Sequence, residues 1–243
     1  MKKLFVVTSL LMVFVMSPMA MADQVMVYRA GGYWSGSGGE FTLGIVGSGT
    51  PDLNSNWALY SSNTRNIGGI DSSFQSFCVE TDEYVNVPGG PYNVVLNNSA
   101  VAGGSGGPSP DPISIGTAWL YHEFQIAGDF DNLATYNYTA GAGRSASAAA
   151  LQNTIWWLED EANDPGTGNV FRQAVFAKFT NFANANADNN GAYPVAVLNL
   201  YDASGNLKQD QLVSVPAPEP ATMLLLGSGL IGLAGLARRR FKK

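Results

Sequence analysis

The chain has one cysteine, one histidine and little charge: 13% of its 243 residues are Asp, Glu, Lys or Arg. A single cysteine excludes an internal disulfide framework, and a single histidine excludes zinc clusters and His-rich metal centres of the usual kinds. Basic residues are scarce in the body of the chain. Seven of the 13 Lys and Arg lie at the extreme ends (Lys2, Lys3, Arg238, Arg239, Arg240, Lys242, Lys243), leaving six against 19 acidic residues between Asp23 and Pro220. A body that acidic lacks the clustered cations that displace counterions from a phosphate backbone, so no nucleic-acid partner is expected. The composition calls for no metal and no organic cofactor.

What the sequence has is two addresses. Residues 1–22 read MKKLFVVTSLLMVFVMSPMAMA: a short basic start, an apolar run from Leu4 to Met16, then small residues at Ala20 and Ala22. This is the three-part pattern of a secretory signal, with cleavage expected after Ala22. At the other end, 221–237 is an uncharged apolar stretch of 17 residues, at the lower limit for a spanning helix, followed by five basic residues in the last six. The positive-inside rule keeps Arg238, Arg239 and Arg240 on the cytoplasmic side and the body outside. Pro218-Glu219-Pro220, the apolar span and the arginine cluster, in that order, resemble the PEP-CTERM sorting signal of Gram-negative bacteria. The resemblance implies recognition by a membrane transpeptidase of the exosortase type, a transient membrane anchor, and delivery to the cell surface or extracellular matrix of a biofilm former. It covers 215–243 and is silent on the body.

Within 23–214, glycine-rich and polar breaks at 31–39, 61–69 and 103–112 separate short aromatic and β-branched runs at 24–29, 40–46, 56–60, 74–80 and 92–96, which read as strands. Segments 193–201 and 206–215 read as a hairpin. Three helices are expected between them: 113–127, opening at Asp111-Pro112; 145–163, stopped by Asp164-Pro165-Gly166; and 169–185, with Phe171, Val175, Phe179 and Phe182 at helical spacing. The expected fold is a single α+β domain, mainly antiparallel β as a sandwich or barrel, with a helical insertion and one C-terminal transmembrane helix.

The lone cysteine, Cys78, lies in Phe74-Gln75-Ser76-Phe77-Cys78-Val79-Glu80, on an expected strand. A solitary thiol in an exported protein is open to oxidation unless it is buried or used. On the second expected helix, Ala148, Leu151, Ile155 and Leu158 form one apolar stripe, with Gln152 and Trp156 stacked beside it. An amide at the edge of such a stripe must find partners or carry a desolvation cost of about 1–3 kcal/mol. Phe77-Cys78-Val79 and Leu151-Gln152-Asn153-Thr154-Ile155-Trp156 together resemble the paired signatures of thioester domains in surface adhesins of Gram-positive bacteria. In that family the first signature is an aromatic or Leu, then Cys, then an apolar residue. The second is apolar, Gln, two variable residues, apolar, Trp. The resemblance implies an internal thioester between Cys78 and Gln152, formed with loss of ammonia, and a water-excluding pocket supplied by Phe77, Val79, Ile155 and Trp156. Such a group acylates an amine or hydroxyl once per molecule. The expected product is a covalent tether to exopolysaccharide or to a surface protein, and the chain is not expected to be an enzyme. The wall anchor, fibrous stalk and tandem immunoglobulin-like domains of the adhesins are missing, which turns the reading toward self-crosslinking or matrix attachment.

Other chemistries fit less well. A cysteine hydrolase would need Cys78 activated by His122, but no nucleophile turn precedes the cysteine, and His122 and Glu123 point in different directions on a helix. Acidic groups at Glu80, Asp82, Glu83 and at Glu159, Asp160, Glu161 bring a two-carboxylate glycosidase to mind, yet such clusters at element ends are expected to be solvated. Gly128-Asp129-Phe130-Asp131-Asn132 lacks the spacing of a calcium loop and reads as a turn. The main alternative is a non-covalent structural or carbohydrate-binding matrix protein with a buried, unreactive cysteine, in which Tyr33, Trp34 and Trp57 stack on sugar rings.

Overall fold

In the computed structural model of the chain, the described residues are 24–36, 38–46, 65–126, 128–130 and 134–215. Ala20, Ala22, Trp57 with its candidate strand, and the tail with Pro218, Glu219, Pro220, the apolar span and Arg238, Arg239 and Arg240 lie outside them. Among the described residues no helix is long and apolar enough to cross a membrane.

In chain order the strands are β1 (Gln24–Tyr28), β2 (Phe41–Ile45), β3 (Arg65–Ile67), β4 (Ile70–Ser76), β5 (Gly89–Asn97), β6 (Ser99–Ala100) and β7 (Asp111–Pro112). Helices α1 (Ile115–Gln125), α2 (Ala142–Leu158), α3 (Val170–Phe179) and α4 (Phe182–Ala185) follow, and β8 (Val195–Tyr201) and β9 (Leu207–Ser214) close the domain. Seven strands make one antiparallel sheet in the order β3-β4-β2-β1-β5-β8-β9, and β6 and β7 form a separate two-stranded ribbon. The fold is therefore mainly antiparallel β with a helical insertion, as expected. It is a half-barrel of a single sheet, in place of the expected sandwich or closed barrel. Register shifts in the β1–β5, β3–β4 and β8–β9 pairs add local twist. The curl brings the chain beyond β4 against β9. There Cys78 forms an isolated antiparallel bridge with Gln211, the Leu212 amide donates to the Phe77 carbonyl at 3.0 Å, and the Val79 amide donates to the Asp210 carbonyl at 3.1 Å.

Two cores result. Val25, Val27, Phe41, Leu43, Phe74, Cys78, Leu198, Leu200 and Val213 fill one, with Trp156 packed at its margin. The other lies between sheet and helices and contains Phe77, Val79, Trp119, Leu120, Ile155, Leu158, Phe171, Val197 and Leu212. Strand β8 feeds both cores from alternate residues, which explains why six of its seven residues are buried. Helix α1 buries eight of its 11 residues because the sheet lies on one side and the remaining helices on the other.

Three element expectations change. Asp111-Pro112 does not open α1 but forms β7; the cap is Ser114, whose hydroxyl accepts from the Thr117 amide. Segment 61–69 is not all loop, because β3 pairs with β4 across Gly68 and Gly69, both at positive φ. The expected helix 169–185 breaks where Thr180 adopts φ 72°, and Asn181 recaps a short α4 by accepting from the Asn184 amide.

Candidate functional site

Cys78 is just past the end of β4, not within it, and Gln152 is in the middle of α2; both are at most 1% exposed. The fold brings the two side chains together across 74 residues of sequence. Gln152 Oε1 accepts hydrogen bonds from the Gly39 amide at 3.0 Å and the Cys78 amide at 3.2 Å, and the Cys78 thiol lies 3.3 Å from the same oxygen. Gln152 Nε2 donates to the Cys78 carbonyl at 2.9 Å. Backbone donors on one atom and a backbone acceptor on the other fix which way the amide faces. The buried amide thus meets its desolvation cost entirely from Cys78 and Gly39.

The Gly38-Gly39 segment lies directly on the amide. A Cβ on Gly38 would stand 2.5 Å from Gln152 Cγ and 2.7 Å from Trp156 Cη2, and one on Gly39 would stand 2.7 Å from Phe77 Cδ1 and 2.9 Å from Gln152 Oε1. Only glycine allows the backbone so close. The next residue, Glu40, anchors this loop. Its fully buried carboxylate accepts from Arg144 Nε at 2.7 Å and Arg144 Nη2 at 2.5 Å, from the Tyr136 hydroxyl at 2.6 Å and from Gln75 Nε2 at 2.8 Å. Arg144 lies on α2, two turns before Gln152. One bidentate ion pair therefore sets the Gly39 amide and the Gln152 side chain in register. The sequence reading missed all four residues. A glycine-rich loop carries no sign that its amides serve a site, and Glu40 and Arg144 are 104 residues apart.

Burial pushes the Cys78 thiol up to about 12, while the Trp156 indole and, more weakly, the Arg29 charge pull it down. The sulfur is accordingly a neutral thiol at physiological pH. The indole Nε1 of Trp156 is buried with no partner of ordinary hydrogen-bond geometry, which leaves it available to the sulfur. An amide carbonyl held by two backbone N–H groups, with a sulfur against it, is the arrangement that stabilises an oxyanion during acyl transfer.

Of the four expected pocket residues, Phe77, Val79 and Ile155 are buried but belong to the helix-side core: Phe77 and Val79 because neighbours of Cys78 along an extended chain point the other way, Ile155 because it lies on the stripe of α2 with Leu151 and Leu158. Trp156 alone shares the core of Cys78. The clustered acids are not solvated as expected: Glu80, Glu159 and Glu161 are buried, while Asp160 is exposed. Glu161 accepts from the Thr81 amide and hydroxyl and from the Ser105 amide, and Glu159 from the Ser114 amide and hydroxyl. Burial raises Glu159 to about 7 despite the opposing Ser114 hydrogen bonds. His122 is half-buried against the Tyr193 ring, and none of the hydrogen bonds of Cys78 reaches it. Tyr33 lies under Arg144 and Trp34 under Arg29, so both rings are already stacked by cations.

Residues 216–240 match the PEP-CTERM protein-sorting motif. The match covers the expected Pro218-Glu219-Pro220, the apolar span and the arginine cluster, a tenth of the chain. It points to an exported surface protein sorted by an exosortase, with a membrane-anchored stage in transit. No curated protein and no solved structure matches the chain.

Proposed function

We propose that the exported domain carries an internal thioester between Cys78 Sγ and the Gln152 side-chain carbonyl carbon, and that it uses this bond once to tether itself. In formation, the sulfur bonds to the carbonyl carbon, the carbon–nitrogen bond breaks, and the thiol proton leaves with the amide nitrogen as ammonia. In use, an amine or hydroxyl on exopolysaccharide or on a surface protein takes the acyl group, and its proton returns to the sulfur. The observation that carries the reading is the Gln152 carbonyl oxygen held by the Gly39 and Cys78 amides at 3.0 and 3.2 Å, with the Cys78 sulfur 3.3 Å away. Burial of both groups supports it, since a thioester in water would hydrolyse. In the acyl transfer the sulfur departs with negative charge, and the Trp156 indole, which opposes the effect of burial on Cys78, is the donor placed to receive it. Secreted protein incubated with labelled methylamine should take up one label, at Gln152, and a Cys78→Ala variant none. Labelling absent from both proteins, with Gln152 still an amide, would end this reading.

A second reading draws on a cleft of about 360 Å³ lined by Tyr33, Phe124, Tyr138, Arg65, Gln75 and Gln125. The amide and guanidinium groups of Gln75, Gln125 and Arg65 beside these rings suit the hydroxyls of a sugar, as the non-covalent matrix protein requires. Reversible binding to exopolysaccharide that Cys78→Ala leaves unchanged, without any methylamine uptake, would favour it.

A further inference from the structure

Three carboxylates meet where the segment after Cys78 crosses β9. Oxygen atoms of Glu80, Glu83 and Asp210 all lie within 4.8 Å of one another. Glu80 is 1% exposed and Asp210 0%, yet both oxygens of Glu80 and Oδ1 of Asp210 have no hydrogen-bond partner. The charges acting most strongly on Glu80 are Glu83, Asp210 and Glu161, all acidic. The side chain of Asn199, on the neighbouring β8, reaches the Asp210 carboxylate and donates from Nδ2 to the Ser99 carbonyl at 3.1 Å, which fixes that edge of the cluster. Each unpartnered buried oxygen costs about 1–3 kcal/mol, more when charged, and a bound cation would offset that cost for the two Glu80 oxygens and Asp210 Oδ1 together.

The geometry points to a calcium site built from Glu80, Glu83 and Asp210, which clamps the segment carrying Cys78 onto β9. All the donors are hard oxygens, the choice of Ca²⁺ and Mg²⁺ over zinc or copper. Ca²⁺ takes six to eight oxygen ligands at about 2.3–2.6 Å in flexible geometry, so three carboxylates no more than 4.8 Å apart can share it, whereas Mg²⁺ demands a near-ideal octahedron at about 2.0–2.1 Å. The rest of the frame is built. The Val101 amide holds Asp210 Oδ2 at 2.7 Å, the Asp210 amide holds Glu83 Oε2 at 3.1 Å, and Glu161 ties down Thr81 between the two glutamates. The site is independent of the thioester reading, though only Val79 separates Glu80 from Cys78.

The test uses the full-length chain in detergent, freed of metal by chelation and titrated with Ca²⁺ or Mg²⁺ while Tm is followed. Terbium luminescence is read in parallel, with Tyr201 on β8, the partner strand of β9 and Asp210, as the sensitising ring. Calcium in the range of extracellular modules, about 10⁻⁴–10⁻³ M, should raise Tm and quench the terbium signal, with magnesium at least tenfold less effective. Glu80→Gln and Asp210→Asn should each weaken calcium binding at least tenfold, and Glu80→Gln keeps the buried volume so that the fold survives. A Tm unmoved by 10-fold excess over that range, together with no terbium luminescence from the wild-type chain, would overturn the site. A calcium response undiminished in both variants would overturn it equally, and the wild-type arm decides alone if a variant does not fold.

Discussion

Replacing Gly39 by alanine should separate thioester chemistry from folding. The Gly39 amide supplies one of two backbone donors to the Gln152 carbonyl oxygen, at 3.0 Å, and the Cys78 amide supplies the other at 3.2 Å. A methyl group there would stand 2.7 Å from Phe77 Cδ1 and 2.9 Å from Gln152 Oε1, so the loop or the carbonyl must retreat by several tenths of an ångström. The retreat lengthens the hydrogen bond and moves the carbonyl away from the sulfur. Loss of one oxyanion donor slows acyl transfer by about 10²–10³-fold, or about 3–4 kcal/mol of barrier. Overpacking costs the fold about 1–3 kcal/mol, which a domain of this size survives. Gly31→Ala is the matched control, since nothing lies within 4 Å of its added Cβ. Intact-mass time courses on freshly secreted protein would show the ammonia deficit appearing normally in Gly31→Ala and at least a hundredfold more slowly in Gly39→Ala. Equal rates in the two variants, with both folded, would refute the role given to the Gly39 amide.

Other expectations concern the frame around the site. Glu40→Gln leaves the Arg144 guanidinium buried without its counter-charge, and about 3–5 kcal/mol of stability should disappear in urea unfolding, along with the mass deficit. Glu159 binds its proton more tightly folded than unfolded, with values of about 7 and 4.5. Its contribution is therefore fully present below about pH 4.5 and is lost as pH rises toward 7, by up to about 3 kcal/mol. Thermal melts at pH 5 and 7.5 should show the wild type losing more stability than Glu159→Gln, and identical losses would contradict this. Asn169 caps α3 through the Phe171 and Arg172 amides and also donates to the Ala150 carbonyl of α2, so Asn169→Ala should cost about 1–2 kcal/mol by the same urea assay.

The features legible in the sequence were those carried by local pattern. Strands β1, β2 and β5 and the closing hairpin announce themselves by β-branched and aromatic runs between turns, and α2 by the stripe of Ala148, Leu151, Ile155 and Leu158. Cys78 and Gln152 were found as a pair because each carries a short signature, and the fold puts them in contact. What was not legible depends on distance or on backbone. Whether one sheet curls on itself or two sheets pack is decided by bulges and by the β4–β9 seam, which no local run encodes. The Gly38-Gly39 donors act through amides that every residue possesses. Glu80, Glu159 and Glu161 resembled surface acids because their burial comes from segments far along the chain, such as β9 against Glu80 and the Ser114 cap against Glu159.

The central claim, a bond between Cys78 and Gln152, is tested most directly by the intact mass of the exported protein, purified without amines, beside its Cys78→Ala variant. The account predicts a wild-type mass one ammonia below the calculated value and no deficit in the variant. A wild-type chain at full calculated mass, with a titratable free thiol and Gln152 still an amide, would contradict it.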